Sequence, residues 1–138
     1  MKSEVISMFE MKDEYLTGIE IIDDEHRELF RITNSAYDVL KNDFLPDKFD
    51  HIVKILEELK EYTIKHFADE EAYMEQIQYK RRFSQVIDHA KFIEKIDSLD
   101  LDNLDRNQTE GLVQILDFLS DWLVHHIVEK DVLIGKDK

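Results

Sequence analysis

His66 and Glu70 are the residues of this chain whose types and spacing first point to chemistry. Four residues apart, they fall one turn apart on the same face of an α-helix. Counted back in helical steps, that face carries Thr63, Leu59, Leu56 and Ile52; counted forward, it carries Met74 and Ile77. An imidazole and a carboxylate therefore interrupt an apolar stripe, and burying both unpaired would cost several kcal/mol or more. A metal ion is the best partner for the two together, and its remaining ligands should lie elsewhere in the chain.

Other helical stripes offer such ligands. His26, His89 and His126 each lie among apolar residues at helical spacing, and Asp131 follows His126 by five residues. A single histidine on such a stripe is usually a core residue with its hydrogen bonds satisfied. One on each of four helices is harder to explain that way, because a shared core without charge compensation is expensive. Four imidazoles and two carboxylates suit iron or another borderline first-row metal better than calcium or magnesium, which prefer oxygen shells. Each carboxylate can bridge two cations, and six protein ligands exceed the needs of one tetrahedral ion but fit a pair. Asp131 carries a condition. On a regular α-helix it points about 140° away from His126, so it joins the site only at a loosened helix end or through a π-type turn.

The elements that must position these residues are helical. Residues 1–22 read as an extended arm, with apolar residues broken by charges and Gly18. Asp23 is the expected N-cap of a first helix over 23–41, followed by Asp24 and Glu25 in a first turn that favours acids. Pro46 and Asp47 mark the start of a second helix over 47–76. A third over 82–96 carries Phe83, Val86, His89, Phe92, Ile93 and Ile96 on its apolar face. A fourth over 108–133, capped by Asn107 or Thr109, carries Leu112, Ile115, Leu116, Leu119, Trp122, Leu123, His126, Ile127 and Lys130, with Gly135 just past its end. No alternating pattern or hairpin turn competes. The expected fold is all-α, an up-down-up-down antiparallel four-helix bundle with an N-terminal arm, in one domain spanning 1–138.

Composition narrows the partners. The 138 residues carry a formal net charge of −14, which disfavours nucleic acid and anionic membrane surfaces. The absence of cysteine excludes disulfides, iron–sulfur clusters and thiolate zinc sites. No signal-peptide core and no apolar run of membrane-spanning length is present, so a cytoplasmic protein is expected.

Three stretches together resemble the hemerythrin-like proteins, specifically the single-domain bacterial hemerythrins, over nearly the whole chain. They are Gly18-Ile19-Glu20-Ile21-Ile22-Asp23-Asp24-Glu25-His26, His66-Phe67-Ala68-Asp69-Glu70-Glu71, and Trp122-Leu123-Val124-His125-His126-Ile127-Val128-Glu129-Lys130-Asp131. The resemblance implies a non-haem site of two iron ions with an oxo or hydroxo bridge, binding O2 or a related small diatomic or peroxide ligand. It implies that His26 and His66 hold one iron, which keeps an open position, and that His89 and His126 belong to the other. Glu70 and Asp131 would bridge them, and Trp122 and Leu123 would wall the O2 pocket. An electron donor or signalling partner would be a separate chain.

One position departs from the family. Its third helix carries His-x-x-x-His, and here Gln85 stands for the first of the pair. Three outcomes stay open: Gln85 ligates through its amide oxygen, a water fills the place with Gln85 beside it, or the second iron binds weakly. Function divides accordingly. Reversible O2 binding, as carrier, store or sensor, leads; an enzyme reducing peroxide, O2 or nitric oxide through an altered second iron is one alternative, and an iron-binding or sensing module with a degenerate site is another. His51 and His125 fall off the stripes and read as surface residues, Tyr37, Tyr62 and Tyr73 as core residues flanking the stripe, and Lys80-Arg81-Arg82 as a solvated basic turn.

Overall fold

A computed structural model describes residues 10–42, 48–98 and 109–137, with side chains described from residue 113 onward in the last helical region and up to residue 136. A short 3-10 turn, Asp13–Tyr15, precedes four long helices: α1 Glu20–Lys41, α2 Lys48–Gln76, α3 Arg82–Ser98 and α4 Thr109–His126. A π-helical turn, Ile127–Asp131, links α4 to a short α5, Val132–Asp137. The fold is an all-α four-helix bundle, and no strand occurs among the described residues. Pro46, Asp47 and Asn107, expected near helix starts, lie outside the described residues, as do residues 1–9 of the arm; Thr109 is the first residue of α4.

The apolar stripes account for the packing. Leu29, Ile32, Ile52, Leu56, Leu59, Phe92, Leu116, Leu119 and Leu123 form one buried cluster that draws on all four long helices. Ile19, Ile22, Met74, Tyr79 and Ile134 form a second. In chain order, His26 falls between Ile22 and Leu29, Glu70 between Phe67 and Met74, and His126 and Asp131 between Leu123 and Ile134. The polar groups thus occupy a layer with an apolar cluster on either side, and both clusters keep it dry.

Several expectations are corrected. Asp23 is not the N-cap of α1: the helix begins three residues earlier, capped by Ile19 without a side-chain bond. Ile19 and Ile22 belong to its buried face, a pattern masked in the sequence by intervening charges. The Asp23 carboxylate instead ties down the arm, accepting from Thr17 N–H at 2.9 Å, Thr17 Oγ1 at 2.8 Å and Gly18 N–H at 3.2 Å. Gly18 takes φ +81°, a left-handed conformation that suits glycine. Gly135 does not end a helix but lies inside α5, where a Cβ would overlap the Thr17 carbonyl oxygen and sit 2.7 Å from its carbon. Phe83 is 73% exposed, because the inward stripe of α3 is Gln85, His89, Phe92 and Ile96 and Phe83 faces away from it. Lys130 is exposed rather than on the inward stripe, for a reason that lies in the π turn.

Candidate metal centre

Four helical regions deliver six titratable groups to one buried layer. His26 comes from α1, His66 and Glu70 from α2, His89 from α3, His126 from the end of α4 and Asp131 from the end of the π turn. All six are buried. The π turn is what admits Asp131. One extra residue per turn rotates it back onto the face of His126, and turns Lys130 outward in compensation. Of the two routes open to Asp131 in the sequence, this is the π-type turn.

The donor atoms fall into two groups that share both carboxylates. In the first group, His26 Nε2 lies 3.0 Å from Asp131 Oδ2 and 3.6 Å from Glu70 Oε2, and His66 Nε2 lies 3.3 Å from the same Glu70 oxygen. In the second, His89 Nε2 lies 3.1 Å from Glu70 Oε1, and His126 Nε2 lies 3.3 Å from Asp131 Oδ1. Each carboxylate thus turns one oxygen to each pair of imidazoles. Within each group the four donor atoms all lie within 4.8 Å of one another. Neighbouring donors held about 2.1 Å from one ion at right angles sit about 3 Å apart, so these separations fit an ion at the middle of each group.

Hydrogen bonding supports that fit. Both ring nitrogens of His26 and both oxygens of Glu70 are fully buried and lack a correctly oriented hydrogen bond, although opposite partners lie close. The lone pairs converge without a donor between them, and a buried charged group in that condition is strongly unfavourable. The electrostatics point the same way. Burial opposes the charged form of His66, but the nearby Glu70 charge and the Glu25 contact outweigh it and push the imidazole up to about 10. His26 and His89 are also raised, burial again being overcome by carboxylate contacts. Glu70 is held well below the usual carboxylate range, because the surrounding imidazoles outweigh the cost of its burial. The layer is built to hold positive charge.

Two further carboxylates aim the imidazoles. Glu25 Oε1 takes the Nδ1 side of His66 at 2.9 Å, and its other oxygen accepts from Lys65 Nζ at 2.8 Å. Glu71 Oε2 takes the Nδ1 side of His89 at 2.8 Å. With the proton on Nδ1, each Nε2 keeps its lone pair facing the centre. Sequence reasoning read Glu25 only as a first-turn acid and missed Glu71; their adjacency to His26 and Glu70 was the available signal. Aromatic rings fix the imidazole planes. Phe67 stacks on His89 with centroids 3.7 Å apart, and Trp122 stacks on His126 at 4.5 Å. Leu123 is buried in the main apolar cluster with Leu29 and Phe67.

Gln85 is also buried, and its Nε2 donates to Asp131 Oδ1 at 3.1 Å. His51 and His125 are exposed, away from the layer. The Tyr37 hydroxyl donates to Asp117 at 2.5 Å, and Tyr62 and Tyr73 are half-buried.

A four-helix bundle with a buried, carboxylate-linked pair of imidazole groups defines a protein of the paired-metal class. A family model described as "Hemerythrin HHE cation binding domain" matches residues 17–135. The chain is 45% identical over 124 residues to a bacteriohemerythrin of Clostridium acetobutylicum, covering 90% of this chain and 96% of that protein. It is 33% identical over 108 residues to a myohemerythrin of Sipunculus nudus, covering 78% and 75%. A bacteriohemerythrin of Pseudomonas aeruginosa is 28% identical over 120 residues, covering 87% and 74%. The chain belongs to the hemerythrin family, whose members are non-haem di-iron, oxygen-binding proteins.

Proposed function

We propose that this chain binds O2 reversibly at a non-haem di-iron centre, as carrier, store or sensor. His26 and His66 would hold one iron and His89 and His126 the other, with Glu70 and Asp131 each offering one oxygen to each ion. The observation that carries this reading is the division of each buried carboxylate between the two imidazole pairs. Iron supplies the reversible change of oxidation state on which O2 uptake and release depend.

The chain's own residues do the rest. Glu25 and Glu71 hold the Nδ1 protons of His66 and His89, which fixes the tautomer and strengthens Nε2 as a donor. Trp122 and Leu123 act as an apolar wall beside the centre and keep bulk water from it. Two negative carboxylates offset part of the charge of two cations, so the layer is stable between apolar clusters once loaded. The family favours this reading over reduction of peroxide, O2 or nitric oxide, and over a degenerate iron-sensing module.

No helix among the described residues is long and apolar enough to cross a membrane. An acidic chain without cysteine is in keeping with action in a reducing cytoplasm. The test is iron content together with visible absorption of the reduced protein cycled between argon and O2. Two irons per chain and a reversible change are expected; loaded protein that shows no change on oxygenation would sink the reading.

A further inference from the structure

The two halves of the centre have equal numbers of protein donors: two imidazole nitrogens and one oxygen from each shared carboxylate. If the His26/His66 half accepts an external ligand, as the proposed function requires, donor count gives no reason for the His89/His126 half to be closed. The residue placed to close it is Gln85, one turn before His89 on the inward face of α3. Its amide turns a nitrogen, not an oxygen, to the shared carboxylate.

Gln85 Nε2 lies 3.1 Å from Asp131 Oδ1, the oxygen that also faces His126. A carboxylate only accepts, so the amide nitrogen faces Asp131 and Oε1 is turned away from it. Gln85 is 2% exposed, and Oε1 has no hydrogen-bond partner. A buried carbonyl oxygen left in that condition calls for a neighbour that it can accept from.

Space lies on the outer side of Gln85. A cavity of about 110 Å³ opens against Gln85, between the start of α3 and the π turn. Buried Gln85 and Tyr79 form its inner part, and exposed Arg81, Ser84, Glu129 and Lys130 form its mouth. A water molecule takes about 30 Å³ in the liquid, so the cavity suits a ligand of two to four heavy atoms. Its mouth carries two cations and one anion on a chain of net charge −14. Lys130 is only loosely engaged with Asp88, at 3.8 Å and partly exposed. Arg81, from the basic turn that O2 binding leaves unexplained, therefore stands with Lys130 at an entrance that favours small anions.

We propose that the His89/His126 half keeps an exchangeable coordination place beside Gln85, and that this cavity admits a small monovalent anion to it. The inference rests on the di-iron reading, and the probe is sodium azide titrated into oxidised, iron-loaded protein. Calorimetry counts the ligands, and the infrared azide stretch distinguishes two sites. Two binding events per chain are expected, the second lost in Gln85→His, where an imidazole fills the place. In the surface double variant Arg81→Ala/Lys130→Ala, which leaves the buried layer untouched, the second event should weaken about tenfold and lose its salt dependence. A single event in protein holding two irons overturns this inference and spares the di-iron reading. A second event indifferent to both variants also overturns it. No azide bound to protein holding two irons likewise overturns this inference alone, whereas fewer than two irons per chain defeats the di-iron reading and this inference with it.

Discussion

Glu25 is the residue whose replacement best separates aiming a ligand from filling space. Its two oxygens have different tasks: one faces His66 Nδ1 at 2.9 Å, the other accepts from Lys65 Nζ at 2.8 Å. In Glu25→Gln one oxygen becomes an amide NH2, and both neighbours are donors, so one hydrogen bond must be lost. Lys65 is 59% exposed and already bonded to Asp69 at 2.8 Å, so it gives up its share at little cost. The glutamine then keeps its oxygen towards His66 and loses only the charge. Replacing the outer partner of a metal-binding histidine costs about 10- to 100-fold in metal affinity, roughly 1.4–2.7 kcal/mol. Glu25→Gln should fall near the lower end. Glu25→Ala should fall near the upper end, and it also leaves a buried Nδ1–H unpaired, costing about 1–3 kcal/mol of stability. Chelator competition measures the affinities, and thermal unfolding of the metal-stripped protein measures the stabilities. The expected order in affinity is wild type, glutamine, alanine, with alanine lowering the melting temperature more than glutamine, which loses only the charge beside His66. Glu71 supplies the contrast: its side chain is 29% exposed against 5% for Glu25, so water can replace it and Glu71→Gln should cost less than Glu25→Gln. Wild-type iron affinity in both Glu25 variants, or a larger loss at Glu71, would refute the reasoning.

Three further outcomes follow from the packing. Gly135→Ala forces a Cβ into the Thr17 backbone and should free the arm from Asp23, costing about 3 kcal/mol and lowering the melting temperature by roughly 10 °C; an unchanged melting temperature counts against that contact. Removing iron with a chelator withdraws a ligand of the folded state, worth about 2.7 kcal/mol at a hundredfold excess over Kd. Hydrogen exchange should then rise first in the π turn and α5, where Asp131 is held, and uniform loss of protection along the chain would argue against that local role. Leu123→Ala opens the main cluster at a cost of about 2–5 kcal/mol, and should shorten the lifetime of the oxygenated protein in stopped-flow absorption by letting water in; an unchanged lifetime would remove Leu123 from the wall.

The helices were legible because their period is a local property of the sequence. Ile52, Leu56, Leu59, Thr63, His66, Glu70 and Met74 recur at helical spacing, and all of them are buried on α2. The inward histidines were legible for the same reason, since a polar group at an apolar position of a repeat stands out without knowledge of its neighbours. Errors gathered where a contact between distant residues decides the local structure. Asp23 has the type and place of an N-cap, but its oxygens are taken by Thr17 and Gly18 in the arm. Gly135 has the type and place of a helix stop, but close approach of Thr17, more than a hundred residues earlier, is what demands it. Glu25 and Glu71 look like ordinary surface acids until His66 and His89 arrive from other parts of the chain.

Asp131 belongs to both kinds of case. Its spacing from His126 breaks the helical rule, and a regular continuation of α4 would have put Lys130 nearer the inward face. The π turn gives up regular hydrogen bonding to reverse that choice, and such irregular turns persist where the surroundings over-determine them. Here the surroundings are specific. Asp131 Oδ2 meets His26 at 3.0 Å, Oδ1 meets His126 at 3.3 Å, and Gln85 donates to Oδ1 at 3.1 Å. Immediately beyond, α5 sets Ile134 into the second apolar cluster and Gly135 against the arm. The turn is therefore clamped on one side by charge and on the other by packing. Packing alone would have been content with a regular helix. The charge requirement of the buried layer explains why the chain departs from it at this point, and it makes the irregular segment a better mark of the centre than any single histidine.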